Sequence, residues 1–389
     1  MSARILVVVG TRPEAIKLAP VIKALSRWRP ALEPVVCVTA QHREMLDEVL
    51  KLFAITPDYD LDIMKRYQTA SGVFAAVLER IEPVLTQVRP QFAIVQGDTT
   101  TTVAAALAAF HERIPVGHVE AGLRTDNLYD PFPEELNRRL VTQVASVHFA
   151  ATQRAADRLI AEGVPSDRVH RTGNPIVDAV RTIRSRSARA PRRERRMILV
   201  TAHRRENLGA PLARICDALR ALVAEHPDIE IVYPVHPNPR VSEPVHAALG
   251  GIARIHLLPP VSYDTLLAHM EDSYLVLTDS GGLQEEATVI GRPLLVLRET
   301  TERQEAIEAG AAELVGTDPA RIVGRATALL RDADAYAAMA APRDLFGDGR
   351  AAERIVGIIR EHLFADELAE RDEPPTERVA DRAPSVAAA

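Results

Sequence analysis

Three acidic residues stand where carboxylates could act together in proton transfer. Asp98 follows the apolar run "FAIVQ", Glu120 ends "IPVGHVE", and Glu134 lies in "PFPEELNRRL". Carboxylates that share a cleft repel one another unless cations or shared protons separate their pKa values, and this separation creates acid and base roles. The pattern predicts acid/base chemistry, although a network of ion pairs would use the same residue types.

The segment around Glu134 also carries cations at helical spacing. Pro133 suits the start of a helix, on which Glu134 would reach Arg138 four residues later. The pair Glu135 and Arg139 repeats that spacing. The alternative to a functional arginine here is a helix stabilised by exposed ion pairs.

The stretch "VVGTRPEAIKLAP" has the outline of an anion site. Gly10 marks the turn after the first apolar run, and Arg12 stands beyond it. Lys17 would lie one turn along the following helix, close to the same anion site. The alternative is a surface ion pair between Lys17 and Glu14. Neither GxGxxG nor GxxxxGK[ST] occurs, so neither NAD binding nor ATP hydrolysis is indicated.

A second anion site is predicted in "YLVLTDSGGLQEEATVIG". Ser280, Gly281 and Gly282 connect an apolar run to a helix, whose first backbone N–H groups could hold a diphosphate. The alternative is that the glycine pair only makes a tight turn. Glu285 and Glu286 follow in the same helix. A carboxylate beside a diphosphate would be repelled by it, so one of these two residues is better suited to accept hydrogen bonds from ribose hydroxyls.

Basic side chains follow two further apolar runs of the second half. "VTAHRRENLG" places His203 and Arg204 together, and "YPVHPNPRV" adds His236. Such a group suits stabilisation of the charge on a phosphorylated leaving group, unless these are only surface residues. The histidines belong to separate loops and no HExxH occurs, so no metal site is predicted.

Parallel sheets must position these residues. Short β-branched apolar runs alternate with helical stretches, five times in each half of the chain, a pattern typical of parallel sheets covered on both faces. Ligands of such sheets bind beyond the carboxyl ends of the strands, where the candidate residues occur. The prediction is an α/β protein with a first domain over residues 1–180, a second over 181–349, a helix over 350–364 and a disordered tail over 365–389.

Composition excludes several classes of protein. The 389 residues carry a formal net charge of −6, which does not indicate nucleic-acid binding. The longest apolar runs are too short to span a bilayer and no leader precedes them, so we expect a cytoplasmic protein without membrane contact. Cys37 and Cys216, in a predicted strand and a predicted helix, are expected to be buried thiols.

Nine sequence motifs, in order, resemble those of the non-hydrolysing UDP-N-acetylglucosamine 2-epimerases, from about Arg4 to Ile359. They are "GTRPEAIKLAP", "QGDTTTT", "GHVEAGLRT", "PFPEELNRRL", "HFAAT", "TGNPIVDA", "TAHRREN", "YPVHPNP" and "TDSGGLQEEA". The resemblance implies two Rossmann-like doubly wound domains facing across a cleft, as in GT-B glycosyltransferases. It also implies a homodimer that interconverts UDP-GlcNAc and UDP-ManNAc by eliminating UDP to 2-acetamidoglucal and adding it back, without a cofactor.

The resemblance also assigns roles to individual residues. It implies acid/base roles for Asp98, Glu120 and Glu134, with Arg138 beside them, and contact of His203 with the departing UDP. Lys17 and Arg12 match basic residues of the first loop. Diphosphate contacts fall to Ser280, Gly281 and Gly282, and the ribose contact to Glu286.

Some relatives are activated by a second UDP-GlcNAc, and the residues expected to contact it are Gln41, His42, Arg204 and His236. The segment "IMKRYQTASG" departs from the "MKERQT" form of regulated relatives, because Tyr67 stands where arginine is expected. Other readings of the chain are a 2-epimerase of a modified UDP sugar, a hydrolysing epimerase, a GT-B glycosyltransferase, or a sensor without catalysis.

Overall fold

The computed structural model describes residues 2–39, 43–64, 69–185 and 194–372. Its first sheet has seven strands: β1 (Ala3–Val9), β2 (Leu32–Val38), β3 (Tyr59–Asp60), β4 (Phe92–Gln96), β5 (Val116–Ala121), β6 (Val147–Ala150) and β7 (Val169–Arg171). All pair in parallel, in the order β3-β2-β1-β4-β5-β6-β7. The central strands are buried on both faces because their apolar runs do not alternate with polar residues.

The second sheet repeats this architecture with six strands. They are β8 (Arg196–Thr201), β9 (Ile229–Pro234), β10 (Ile255–Leu258), β11 (Leu275–Thr278), β12 (Leu294–Val296) and β13 (Ala312–Leu314). All pairs are parallel and the order is β10-β9-β8-β11-β12-β13. This is the strand order of a dinucleotide-binding doubly wound sheet, and the first sheet has the same order with one strand added.

Helices follow the strands and cover both sheets. In the first half they are α1 (Arg12–Ser26), α2 (Arg43–Leu52), α3 (Ala70–Val88), α4 (Thr100–His111), α5 (Glu134–Val144), α6 (Gln153–Ala161) and α7 (Pro175–Arg184). In the second half they are α8 (Ala210–Glu225), α9 (Pro239–Leu249), α10 (Tyr263–Asp272), α11 (Gly281–Ile290), α12 (Gln304–Glu308), α13 (Pro319–Arg331), α14 (Ala333–Ala340) and α15 (Ala351–Asp372).

Strand order decides where the loops converge. In the first sheet the order reverses between β1 and β4, and in the second between β8 and β11. The loops that follow these four strands begin at Gly10, Gly97, Ala202 and Asp279. In each sheet the two loops diverge and open a crevice at the carboxyl edge of the strands. The residues singled out by the sequence lie in these loops or beside them.

The fold class predicted from the sequence is confirmed, including all ten predicted strands. The prediction missed β3, β7 and β13, which have two or three residues each and lie at sheet edges. Each of these strands pairs with a single neighbouring strand over two or three residues, so its sequence does not contain a long apolar run. The free thiols of Cys37 and Cys216 are buried, as expected.

Two helices extend across the predicted boundaries. Helix α7 continues past residue 180 to Arg184 and contacts both α1 and α11, so it lies where the two halves meet. Helix α15 packs on α1 and α7 and continues past the predicted end at residue 364 to Asp372, with a non-helical residue at Phe364. Residues 373–389 lie outside the described residues. Among the helices described, none is both long and apolar enough to cross a membrane.

Candidate active site

A cavity of about 550 Å³ lies between the two halves of the chain. Loops from both sheets line it, and twelve of the residues singled out by the sequence face it: Arg12, Lys17, Asp98, Glu120, Glu134, His203, Arg204, His236, Ser280, Gly281, Gly282 and Glu286. Arg138 lies behind this wall, bonded to Asp98. Gln41 and His42 lie outside the described residues, as does Tyr67.

Glu120 is held in an unusual backbone conformation at the end of β5. Its φ is +65°, and the pairing of β5 with β6 shifts register between Val119 and Ala121. A residue with a side chain rarely adopts positive φ, and such positions concentrate at functional sites. The irregularity turns the Glu120 carboxylate into the cavity, where the residue is 6% exposed.

Four side chains donate hydrogen bonds to the Glu120 carboxylate. Oε2 accepts from Lys17 Nζ, from Gln96 Nε2 at 3.2 Å and from Asn174 Nδ2 at 2.9 Å. Oε1 accepts from Arg303 Nη2 at 3.1 Å. Burial opposes ionisation, but the charges of Lys17 and Arg303 outweigh it and hold the pKa of Glu120 well below its usual range.

Arg303 connects Glu120 to two carboxylates of the second half. Its Nε donates to Glu285 Oε1 at 2.9 Å, and its Nη1 donates to Glu302 Oε1 at 2.5 Å. Lys17 Nζ also lies 3.8 Å from Glu285 Oε2. We call Lys17, Glu120, Glu285, Glu302 and Arg303 the interdomain charge cluster. All five are buried, so each charge depends on its partners for stabilisation.

Arg138 holds Asp98 at the edge of the same cluster. Its Nη2 lies 2.7 Å from Asp98 Oδ2 and 3.5 Å from Glu302 Oε1. Its Nη1 donates to Glu135 Oε2 at 3.1 Å. The predicted Glu134–Arg138 pair is therefore wrong, because the buried guanidinium turns inward to three other carboxylates. The predicted pair of Glu135 and Arg139 is present, at 3.2 Å.

Glu134 differs from the other two predicted carboxylates. Its Oε2 is buried without a hydrogen-bond partner, although the side chain faces the cavity. Burial, followed by the nearby charge of Asp98, raises the pKa of Glu134 above its usual value. Glu134 is thus better suited than Glu120 to carry a proton.

The first loop is organised by Glu14 rather than by a surface ion pair. Glu14 Oε2 accepts from the backbone N–H groups of Gly10 and Thr11, and Oε1 accepts from Thr99 and Thr102 at 2.8 and 2.9 Å. Glu14 is buried and does not pair with Lys17, so the alternative reading of these two residues is wrong. The capped turn places Arg12 at the cavity wall.

The start of α11 presents backbone N–H groups to the cavity. Ser280 occupies the N-cap position and Gly281 and Gly282 form the first turn. A Cβ at Gly281 would meet Arg303 and Glu302 at 3.1 Å, so a larger residue there would have to displace one of these two side chains by a few tenths of an ångström. A Cβ at Gly282 would meet nothing within 4 Å. Gly282 therefore leaves room beside the helix terminus for an anion.

Glu286 lies on the next turn of α11. Tyr263 donates a hydrogen bond from its hydroxyl to Glu286 Oε1 at 2.8 Å, and both residues line the cavity. Burial raises the pKa of Glu286 to about 7, against the opposing effect of that hydrogen bond. Its charge state therefore changes near neutral pH.

Asp279 holds the loop that carries His203. Its Oδ2 accepts from the backbone N–H groups of His203 and Arg204, each at 2.8 Å, and from Asn207 Nδ2 at 3.0 Å. Its Oδ1 is buried without a hydrogen-bond partner, 3.8 Å from His203 Nδ1. Desolvation lowers the pKa of His203 despite the Asp279 charge, and the ring stacks on His236 with centroids 5.2 Å apart.

Sequence reasoning missed several side chains of this site. These are Gln96, Asn174, Asp279, Glu302 and Arg303. Asp279 and Arg303 follow the apolar runs of β11 and β12, so their position at the carboxyl edge was an available signal. Asn174 follows the three-residue edge strand β7, which gave no such signal.

Comparison with known proteins agrees with this geometry. Residues 23–360 match the family described as UDP-N-acetylglucosamine 2-epimerase. The chain belongs to this family. A probable UDP-N-acetylglucosamine 2-epimerase of Ralstonia solanacearum is 49% identical over 92% of this chain and 99% of the relative. The UDP-N-acetylglucosamine 2-epimerase of Escherichia coli K12 is 47% identical over 93% of this chain and 100% of the relative.

A solved structure of the family carries a nucleotide sugar. The crystal structure of UDP-GlcNAc 2-epimerase from Neisseria meningitidis bound to UDP-GlcNAc superposes on this member with a TM-score of 0.89. The two chains are 43% identical, and the match covers 92% of this chain and 100% of that one. The two-domain fold is therefore that of the family.

Proposed function

We propose that this family member interconverts UDP-GlcNAc and UDP-ManNAc by non-hydrolysing 2-epimerisation. One observation supports the proposal: a single cavity brings the carboxylates of Asp98, Glu120 and Glu134 in the first half against the start of helix α11 in the second half. A family relative binds UDP-GlcNAc in a structure of the same fold.

The first step is departure of UDP. The proton at sugar carbon 2 is not beside a carbonyl, so it is not acidic until the bond from carbon 1 to the phosphate oxygen has largely broken. The bonding electrons leave with UDP, and Arg12, His203 and the N–H groups at the start of α11 are placed to stabilise that charge. Ionised Glu286 would accept hydrogen bonds from the ribose hydroxyls.

The second step removes the proton from carbon 2 and gives 2-acetamidoglucal with a double bond between carbons 1 and 2. We assign the two proton-transferring positions to Asp98 and Glu134, which face the cavity together. The raised pKa of Glu134 suits a group that alternates between acid and base. Delivering a proton to the opposite face of carbon 2 while UDP returns to carbon 1 completes the epimerisation. These steps need only proton transfer and charge stabilisation, so the proposal includes no cofactor.

Glu120 has a different task in this scheme. Both of its oxygens are occupied by donors, and its low pKa makes it a weak base. A carboxylate that stays ionised beside the sugar stabilises the positive charge that develops at carbon 1 as UDP leaves. We therefore assign Glu120 to electrostatic stabilisation.

Proton NMR of the purified protein with UDP-GlcNAc in deuterated water tests the function. We expect UDP-ManNAc to appear with deuterium at sugar carbon 2, because the proton removed exchanges with solvent. Free ManNAc and UDP would instead identify a hydrolysing enzyme. No reaction of UDP-GlcNAc would refute this substrate assignment, and UDP sugars with a 3-acetamido group or a 6-carboxylate would then be assayed in the same way.

A further inference from the structure

Asn174 lies at the junction of the two domains and is fully buried. It is the N-cap residue of α7, where its Oδ1 accepts from the backbone N–H of Ile176 at 3.1 Å. Its own backbone N–H donates to Phe346 O at 2.7 Å. The residue is thus anchored by one side-chain and one backbone hydrogen bond, neither of which involves the cavity.

The amide group of Asn174 bridges the two domains. Nδ2 donates to Glu120 Oε2 and to Glu285 Oε2, each at 2.9 Å. Glu120 belongs to the end of β5, and Glu285 belongs to α11, the helix whose start forms the diphosphate site. An amide can supply a hydrogen to each carboxylate without adding charge.

Three other side chains contact this bridge: Gln96, whose neutral amide donates to Glu120, and two cations. Lys17, from α1, and Arg303, just before α12, contact both carboxylates. These are long side chains that lose much rotational freedom when they are fixed in one geometry. Asn174 has a shorter side chain than these cations or Gln96, and its cap hydrogen bond to α7 fixes that side chain further.

We infer that Asn174 is a positioning residue that fixes the Glu120 carboxylate relative to the nucleotide-binding helix α11. This inference rests on the proposed function and deepens it. Binding of the nucleotide at the start of α11 sets the position of Glu285, and the shared amide relates that position to Glu120. Small displacements of a group that acts on the reacting carbon have large kinetic consequences.

Two substitutions separate this role from simple capping. Asn174→Ser keeps an oxygen that can cap α7 but removes the bridge. Asn174→Asp keeps the cap and the shape but places a third carboxylate between Glu120 and Glu285. Asp318→Ser is the control, because Asp318 caps α13 through the Arg321 N–H at an exposed position that does not line the cavity.

In steady-state assays we expect Asn174→Ser to lower kcat by about tenfold, since Glu120 is displaced but keeps its charge, while KM and the Kd of UDP stay within about threefold because the nucleotide contacts remain. Asp318→Ser should keep the wild-type kcat. A kcat for Asn174→Ser within threefold of wild type, or equal losses in kcat and UDP affinity, would overturn the inference.

Thermal unfolding between pH 5 and pH 8 gives a readout that does not depend on activity. Two neighbouring carboxylates would raise the pKa of the new carboxyl group at position 174 of Asn174→Asp in the folded protein. The Tm difference between Asn174→Asp and wild type should therefore grow as the pH rises, because the folded state resists ionisation of that group. The Tm difference between Asn174→Ser and wild type should not change with pH. Parallel pH curves for both variants would refute the bridge between carboxylates. If the wild type turns over no UDP sugar, the proposed function fails, while this comparison still decides whether Asn174 bridges the two carboxylates.

Discussion

Glu120→Gln tests whether this residue stabilises charge or transfers a proton. The substitution keeps the size of the side chain and removes its charge. If the carboxylate acts about 5 Å from the developing positive charge at an effective dielectric constant of about 20, the lost Coulomb energy is about 3 kcal/mol, which corresponds to roughly a 100-fold lower kcat. The affinity for UDP should change little, because the predicted nucleotide contacts lie on other loops.

The same variant should also lose stability. Breaking a buried ion pair costs about 3–5 kcal/mol when a charge is left alone. Here Glu285 stays 2.9 Å from Arg303 and 3.8 Å from Lys17, so we expect a loss at the lower end of that range, measured by urea unfolding. Glu353→Gln, at an exposed position on α15, is the matched control.

The pH dependence of kcat distinguishes the two roles of Glu120. Because its pKa lies well below its usual range, it stays ionised throughout the working pH range, and Glu120→Gln should lower the whole profile without moving its limbs. Loss of one limb would show that Glu120 itself transfers the proton. A decrease in kcat of less than about tenfold would remove Glu120 from the mechanism.

Three further predictions concern the other titrating groups. Glu134→Gln should lower kcat by at least about 100-fold and remove the part of the pH dependence of kcat that is caused by titration of the Glu134 carboxyl group. An unchanged pH dependence would contradict the proposed role of Glu134. The Kd of UDP should rise as the pH falls through about 7, because protonated Glu286 no longer accepts two hydrogen bonds. Calorimetry at pH 6 and 8 should show a smaller pH effect in Glu286→Gln, and equal effects would exclude Glu286 from the ribose site. Asp279→Asn removes the charge that raises the pKa of His203, so the imidazole signals in NMR should titrate at lower pH; an unchanged titration would refute this coupling.

The sequence alone predicted the fold and the rim of the site. Apolar runs of four to seven residues, alternating with helices, indicate buried parallel strands, and parallel strands bring their following loops to one edge. Asp98, His203 and Ser280 could therefore be placed at a cleft without knowledge of any contact. The edge strands β3, β7 and β13 escaped prediction because two or three residues carry no periodic pattern.

Tertiary structure decided which charges meet and how they titrate. Helical spacing predicted that Arg138 pairs with Glu134, yet the folded chain pairs it with Asp98, Glu135 and Glu302. Arg303 reaches Glu120 across 183 positions of sequence. Coulomb energies and desolvation depend on distances and burial that no local pattern specifies. The sequence thus determined which residue types gather at the cleft, and only the tertiary packing determined that the pKa of Glu134 is raised and that of Glu120 is lowered.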